Sequence, residues 1–275
     1  MLVSTAMLSF IMLGLTAMFI QTQKAFKSGI RQNTITDAGR SIMEMILGDL
    51  RQMSDGQNTN LFFYNSYNFW FGTLTPPAGI TNYVNGVAVR SNALNCIYIL
   101  EHTNTTWVGV GYAVSNFPGA GAPLGIGTLY RYETNWNSLA PAFTNKYFFS
   151  QFSANLTTPT FSTNYWHRVA DGVIDLRIRA FDQYGNEVDN ANLNESYFYY
   201  PIVPPLSAVF SVNDTPSTTL PNSVELEFGI LEPDTLVQAR GLIGNRTALL
   251  NFLSTNAAPK MEIFRQRVTI AAAPR

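Results

Sequence analysis

No charged side chain occurs between Met1 and Ile20, and a helical pattern runs on from this stretch to about Met53. As a helix, such a run is about 30 Å long, roughly one hydrocarbon thickness. Only Ser4, Thr5, Ser9, Gly14 and Thr16 interrupt the bulky residues. Small residues, and hydroxyls that bond their own backbone, are common where apolar helices pack closely. Residues 1–23 are therefore expected to be a transmembrane or filament-core half of a helix. Leu2, Val3, Leu8, Phe10, Ile11, Leu13, Leu15 and Phe19 are its packing residues. The first cations, Lys24, Lys27 and Arg31, follow the run, and no charge precedes it, so orientation does not follow from charge. A cleaved signal peptide is a rival reading, but it calls for a basic start and a shorter apolar core. An ordinary single-pass anchor is another.

Over residues 24–54 the pattern becomes amphipathic. Ile35, Ala38, Ile42, Ile46, Leu50 and Met53 recur at steps of three or four, forming one stripe for docking on a globular body. Asp37, Arg40, Glu44 and Arg51 fall on other faces. Ser54-Asp55-Gly56 is the expected stop, giving a rod of about 80 Å.

Residues 55–275 have the composition of a β-rich head. Apolar residues are 46% of the chain, enough for a sizeable core, while charged residues are 13%, about half the usual soluble proportion. The net charge of −1 and the lack of a basic run argue against a nucleic-acid partner. A single cysteine, Cys96, excludes an intrachain disulfide and reads as a small buried residue on a strand. Strands are expected at 94–101, 106–114, 127–133, 146–152, 173–181, 195–202, 223–231 and 261–270. In the fifth of these, Ile174, Leu176 and Ile178 should share one face, and Asp175, Arg177 and Arg179 the solvated other. A second helix is expected over 236–253, interrupted at Gly241-Leu242-Ile243-Gly244. The aromatic run from Leu61 to Phe71 reads as core packing, or as rings able to stack on sugars.

Three segments and the N-terminus resemble a known family. Met1-Leu2-Val3-Ser4, the apolar helix and Gln21-Thr22-Gln23-Lys24 resemble a type IV pilin-like N-terminus. The opening residues of that motif are not present: the expected start of the motif lies upstream of Met1, the alternative being a member that is not processed. Its leader, cleavage glycine, methylated phenylalanine and buried glutamate are thus assigned to no residue here. Residues 41–53, ending Gly48-Asp49-Leu50-Arg51-Gln52, are similar to the end of the first helix in J-type minor pseudopilins of type II secretion and W-type minor pilins. Residues 169–179 (Val169 to Arg179) and 220–228 (Leu220-Pro221 onwards) resemble two of their strands. The resemblance covers about a third of the chain. It implies an α+β, pilin-like fold, with a long N-terminal transmembrane and stalk helix packed on an antiparallel β-rich head. It also implies an assembly role without catalytic residues. The expected partners are other pilin or pseudopilin subunits, an inner-membrane assembly platform and membrane lipid, with the head on the periplasmic side of an envelope filament.

Signals for chemistry are sparse. His102 and His167 lie at no zinc-ligand spacing. Gly119, Gly121, Gly125 and Gly127 fit neither a dinucleotide fingerprint nor a P-loop. Asp182, Asn186 and Asp189 are a calcium candidate, since their oxygens suit a hard cation. A hairpin turn using Gly185-Asn186 at positive φ accounts for the same residues. No other cofactor is expected. The leading expectation is a structural filament subunit. Its alternatives are a tethered module binding glycans through aromatics near Tyr64 to Trp70, and a tethered hydrolase using His167.

Overall fold

The computed structural model describes residues 2–53, 69–73, 94–103, 106–116, 125–137, 151–152, 156, 165–182, 184–187, 195–198, 221–257 and 260–270. A 50-residue helix, α1 (Leu2–Arg51), comes first. It is followed by β1 (Phe69–Thr73), β2 (Asn95–Thr103), β3 (Thr106–Asn116), β4 (Ile126–Asn137), β5 (Trp166–Phe181), β6 (Glu195–Phe198) and β7 (Ser223–Leu231). Two short helices, α2 (Pro233–Gly241) and α3 (Arg246–Phe252), then lead to β8 (Met261–Thr269). All strands join one eight-stranded sheet in the order β6-β1-β2-β3-β4-β5-β7-β8. Each pairing is antiparallel.

The sheet is covered on both faces, and β2 shows why its sequence is apolar without a break. Ile97 and Ile99 join the core that faces α1. Cys96, Tyr98 and Leu100, pointing the other way along the pleat, join a second cluster with Trp107, Tyr132, Phe152 and Trp166. Within that second cluster the Phe152 ring lies 5.5 Å from those of Tyr98 and Tyr132. A third, smaller cluster packs Leu236, Ala239, Leu249 and Leu253 against Ile126, Ile174 and Leu231.

This architecture corrects the expected fold. Among the described residues no helix is long and apolar enough to cross a membrane. The molecule is one N-terminal helix laid on a large antiparallel sheet, and the expected pilin-like transmembrane rod with a head is set aside.

Other expectations are corrected locally. Ile174 does not share a face with Leu176 and Ile178: it belongs to the cluster under α2 and α3, while they face α1. A bulge between Ile174 and Arg177, with Asp175 at φ 56°, shifts the alternation by one residue. Asp175 is consequently buried rather than solvated, paired with Arg177 Nε at 2.7 Å. β5 also begins seven residues before Val173, at Trp166. Gln151 and Phe152 are helical, not strand, and the rest of the expected strand 146–152 lies outside the described residues, as do 199–202. The expected interruption of the second helix is present, between Gly241 and Arg246. Pro233 suits the first turn of α2, and the Asn245 side chain caps α3 by accepting from the Ala248 N–H at 3.0 Å. A π-helical turn, Leu253–Ala257, ends the segment.

The helix approaches β8 closely at one point. Gly39 is buried, and a Cβ added there would overlap the Phe264 ring. That ring cannot swing away freely because it is stacked on Phe228 with centroids 5.5 Å apart. Gly39→Leu is therefore expected to lower stability by about 1–3 kcal/mol in urea unfolding. Adding Phe264→Ala to the same chain should recover part of that loss, as expected for two residues in direct contact.

Candidate functional site: a half-docked helix and its anchor

Along α1 the surroundings change near Arg31. Before it the described large side chains are exposed. Val3, Leu8, Phe10, Ile11, Leu13, Leu15 and Phe19 are exposed, with Phe10 at 81%, and so are Met7, Met12, Met18, Phe26 and Ile30. These residues lie on every side of the helix, since Phe10 to Leu13 alone turn through nearly a full circle. The side chain of Leu2 lies outside the described residues. Hydroxyls turn inward on the backbone: Thr16 and Thr22 in this half, and Thr34 just beyond it, donate to the carbonyls of Met12, Met18 and Ile30 at 2.8, 2.9 and 2.9 Å.

From Ile35 onwards the helix is seated. Ile35, Ile42, Ile46, Leu50 and Met53 are buried; Ala38 is exposed, and its neighbour Gly39 occupies the contact instead. Met43 and Leu47 widen the seam beyond what a single stripe suggested. Ile46 and Leu50 are completely buried, each contributing about 1.5–3 kcal/mol through the area removed from water. Two polar contacts mark the entry to the seam. Arg31 pairs with Asp234 of α2 at 2.6 Å, both half exposed, and the Thr36 hydroxyl donates to Glu262 of β8 at 2.9 Å.

A polar network closes the other end. Asp49 is 8% exposed and accepts from Arg131 Nε at 2.9 Å. Arg131 Nη2 reaches its second oxygen at 3.3 Å. The Tyr112 hydroxyl also donates to Asp49, and Arg131 Nη1 donates to Glu133. Burial, and then the Asp49 carboxylate, push the Tyr112 phenol well above its ordinary range. Burial alone would weaken the charge on Arg131, but its bonds to Asp49 and Glu133 outweigh that and hold the guanidinium firmly protonated. Just past the helix, Met53 pairs with Glu101 of β2 by a single antiparallel bridge. Tyr112 and Arg131 were not among the residues singled out from sequence, and Asp49 entered only within the segment that carries the resemblance. A usable signal exists for Asp49: it lies three residues after Ile46 and four before Met53, so it is a carboxylate inside an apolar stripe. Such a group needs a buried cation.

The remaining candidates are dispersed. Both oxygens of Asp182 accept bonds inside its own turn, from the N–H groups of Tyr184 and Asn186 at 2.8 Å and from Asn186 Nδ2 at 3.1 Å. Gly185 has φ 83°, and among the described residues Asn186 does not share that conformation. Asp189 lies outside the described residues, and among those described no cluster of three His, Cys, Asp or Glu could hold a metal ion. Phe69 and Phe71 are buried, so these two rings offer no platform for a sugar; Leu61 to Asn68 lie outside the described residues. The expected small buried cysteine, Cys96, donates to the Gly72 carbonyl at 3.5 Å. His167 is exposed on β5, in register with Arg131, while His102 lies on β2 opposite Trp107. Gly125 immediately precedes β4 and Gly127 is its second residue, while Gly119 and Gly121 lie outside the described residues.

Comparison with known proteins yields no matching family model and no matching curated protein.

Removing one partner from the buried pair leaves the other charge stranded. Asp49→Ala should therefore cost about 3 kcal/mol, whereas Arg31→Ala, which breaks an exposed pair, should cost no more than about 1 kcal/mol. Urea unfolding midpoints of the two variants check this ordering.

Proposed function

We infer that the chain is a non-catalytic structural subunit that assembles through the N-terminal half of α1. Helices of neighbouring subunits would lie side by side in parallel, with the sheet-bearing bodies outside. The observation that carries this reading is the exposure of large apolar side chains on all sides of the helix from Val3 to Ile30. A helix that is apolar all round is stable only when covered, and an exposed apolar surface of this extent marks an interaction site. Several neighbours are needed, because one partner covers only one side. Repeated contacts between unlike faces build an open helical polymer where the rotation between neighbours does not close into a ring.

The finer form of the proposal follows from the resemblance: a minor pilin or pseudopilin in a type IV pilus or type II secretion-like filament of the cell envelope. Other pilin-like subunits and an inner-membrane assembly platform would be its partners. The seam from Ile35 to Met53 supports this division of labour, since it fixes the body to one end of the helix and leaves the other end free.

The test uses the full chain held in detergent and transferred to detergent-free buffer. Extended oligomers are expected by electron microscopy and sedimentation. Phe10→Glu and Leu13→Lys should each reduce them at least tenfold while leaving the melting temperature of the body unchanged. Persistence of the same oligomers in both variants would refute the reading.

A further inference from the structure

Where α1 ends, three carboxylates surround a single guanidinium. Asp49 comes from the helix, Glu101 from β2, Glu133 from β4, and the cation is Arg131 of β4. Arg131 is committed to two of the three: it donates to Asp49 at 2.9 Å through Nε, and to Glu133 through Nη1. The Tyr112 hydroxyl from β3 adds its donation to Asp49 as well. Glu101 receives none of these bonds. It is 6% exposed, and its Oε1 has no hydrogen-bond partner among the described residues. Its backbone is also the bridge to Met53, the residue that pins the chain leaving the helix.

We propose that Glu101 is a proton-operated latch on the docked end of α1, closed when its carboxyl is neutral and loosened when it ionises. With Glu101 neutral, the cluster carries two negative charges against one positive. Ionisation adds a third negative charge, with no donor to Oε1 among the described residues, next to the Asp49 carboxylate on which the helix depends. The repulsion falls across the α1–β2 contact, the place where Met53 and Leu50 are seated. The latch is independent of how the other half of the helix is covered.

The titration supports this geometry. Burial first, and the Asp49 carboxylate second, push Glu101 up from 4.5 to about 7, with Glu133 adding to the rise and Arg131 opposing it. The sign follows from proton linkage. Between pH 4.5 and about 7 the folded chain keeps a proton that the unfolded chain has lost, so stability falls as pH rises through that window. Above it the loss is complete. Nearby, Tyr112 is held neutral and Arg131 charged throughout the range.

Thermal unfolding and hydrogen exchange of the full chain, compared with Glu101→Gln between pH 5 and pH 8, test the proposal. Glutamine keeps the shape and removes the titration. The melting temperature of the natural chain should fall relative to the variant by about 5 °C over this range. Protection of amides 42–50, corrected for intrinsic exchange, should fall about tenfold in the natural chain and stay level in the variant. Parallel curves for the two chains would overturn the proposal. So would a Glu101 carboxyl that titrates near 4.5 in carbon-13 NMR of the natural chain, a measurement that stands even if the glutamine variant fails to fold.

Discussion

The contact between the second half of α1 and the sheet decides how the rest of the molecule can behave. Ile35, Ile42, Ile46, Leu50 and Met53 enter the same core as Ile97, Ile99, Val110 and Leu226, so the helix is not an appendage but one wall of the sheet's interior. Without that wall, one apolar face of an eight-stranded sheet would be open to water. Among the described residues, the large side chains of the first half of the helix are left exposed. A helix of this length gains most of its stability from packing. Its free portion therefore persists as a continuation of a segment that is held elsewhere.

The seam is mostly apolar, and its polar end sets it apart from a generic amphipathic helix on a sheet. Apolar contact is tolerant of sliding by a turn, because one aliphatic side chain replaces another at little cost. A carboxylate that must meet the Arg131 guanidinium and the Tyr112 hydroxyl is not. Asp49 thus selects one axial position of the helix among several of similar apolar area, in the manner of a buried polar residue that fixes register. Gly39 does the same sterically at the other end, where only a residue without a Cβ can lie against Phe264.

The long helix, the sites of most strands and the two-part helical segment near the C-terminus were legible because each rests on local chemistry: periodicity, turn residues and caps. The burial of Ile35, Ile42, Ile46 and Leu50 follows from spacing alone. The failures have non-local causes. Nothing near Asp175 in sequence announces its positive φ, which is imposed where β5 meets β7, and that bulge turned Ile174 towards the opposite side. Ala38 and Gly39 are adjacent small residues, and which of them faces β8 depends on where the Phe264 ring stands. The membrane-spanning architecture was read from apolarity, and apolarity by itself does not distinguish lipid from neighbouring protein as the covering medium. The anchor at Asp49 was present in the pattern as a charge out of place, but Arg131, 82 positions away, could be paired with it only by the sheet.

The threonines of the overhanging helix have a consequence for its eventual covering. Thr16 and Thr22 already spend their protons on carbonyls four residues back. Enclosing this stretch in a dry environment would strip water from hydroxyls that do not require it as an acceptor. The usual desolvation toll for burying an alcohol is thereby small at these positions. The segment can pass from wet to dry surroundings, and back, with its internal bonding unaltered.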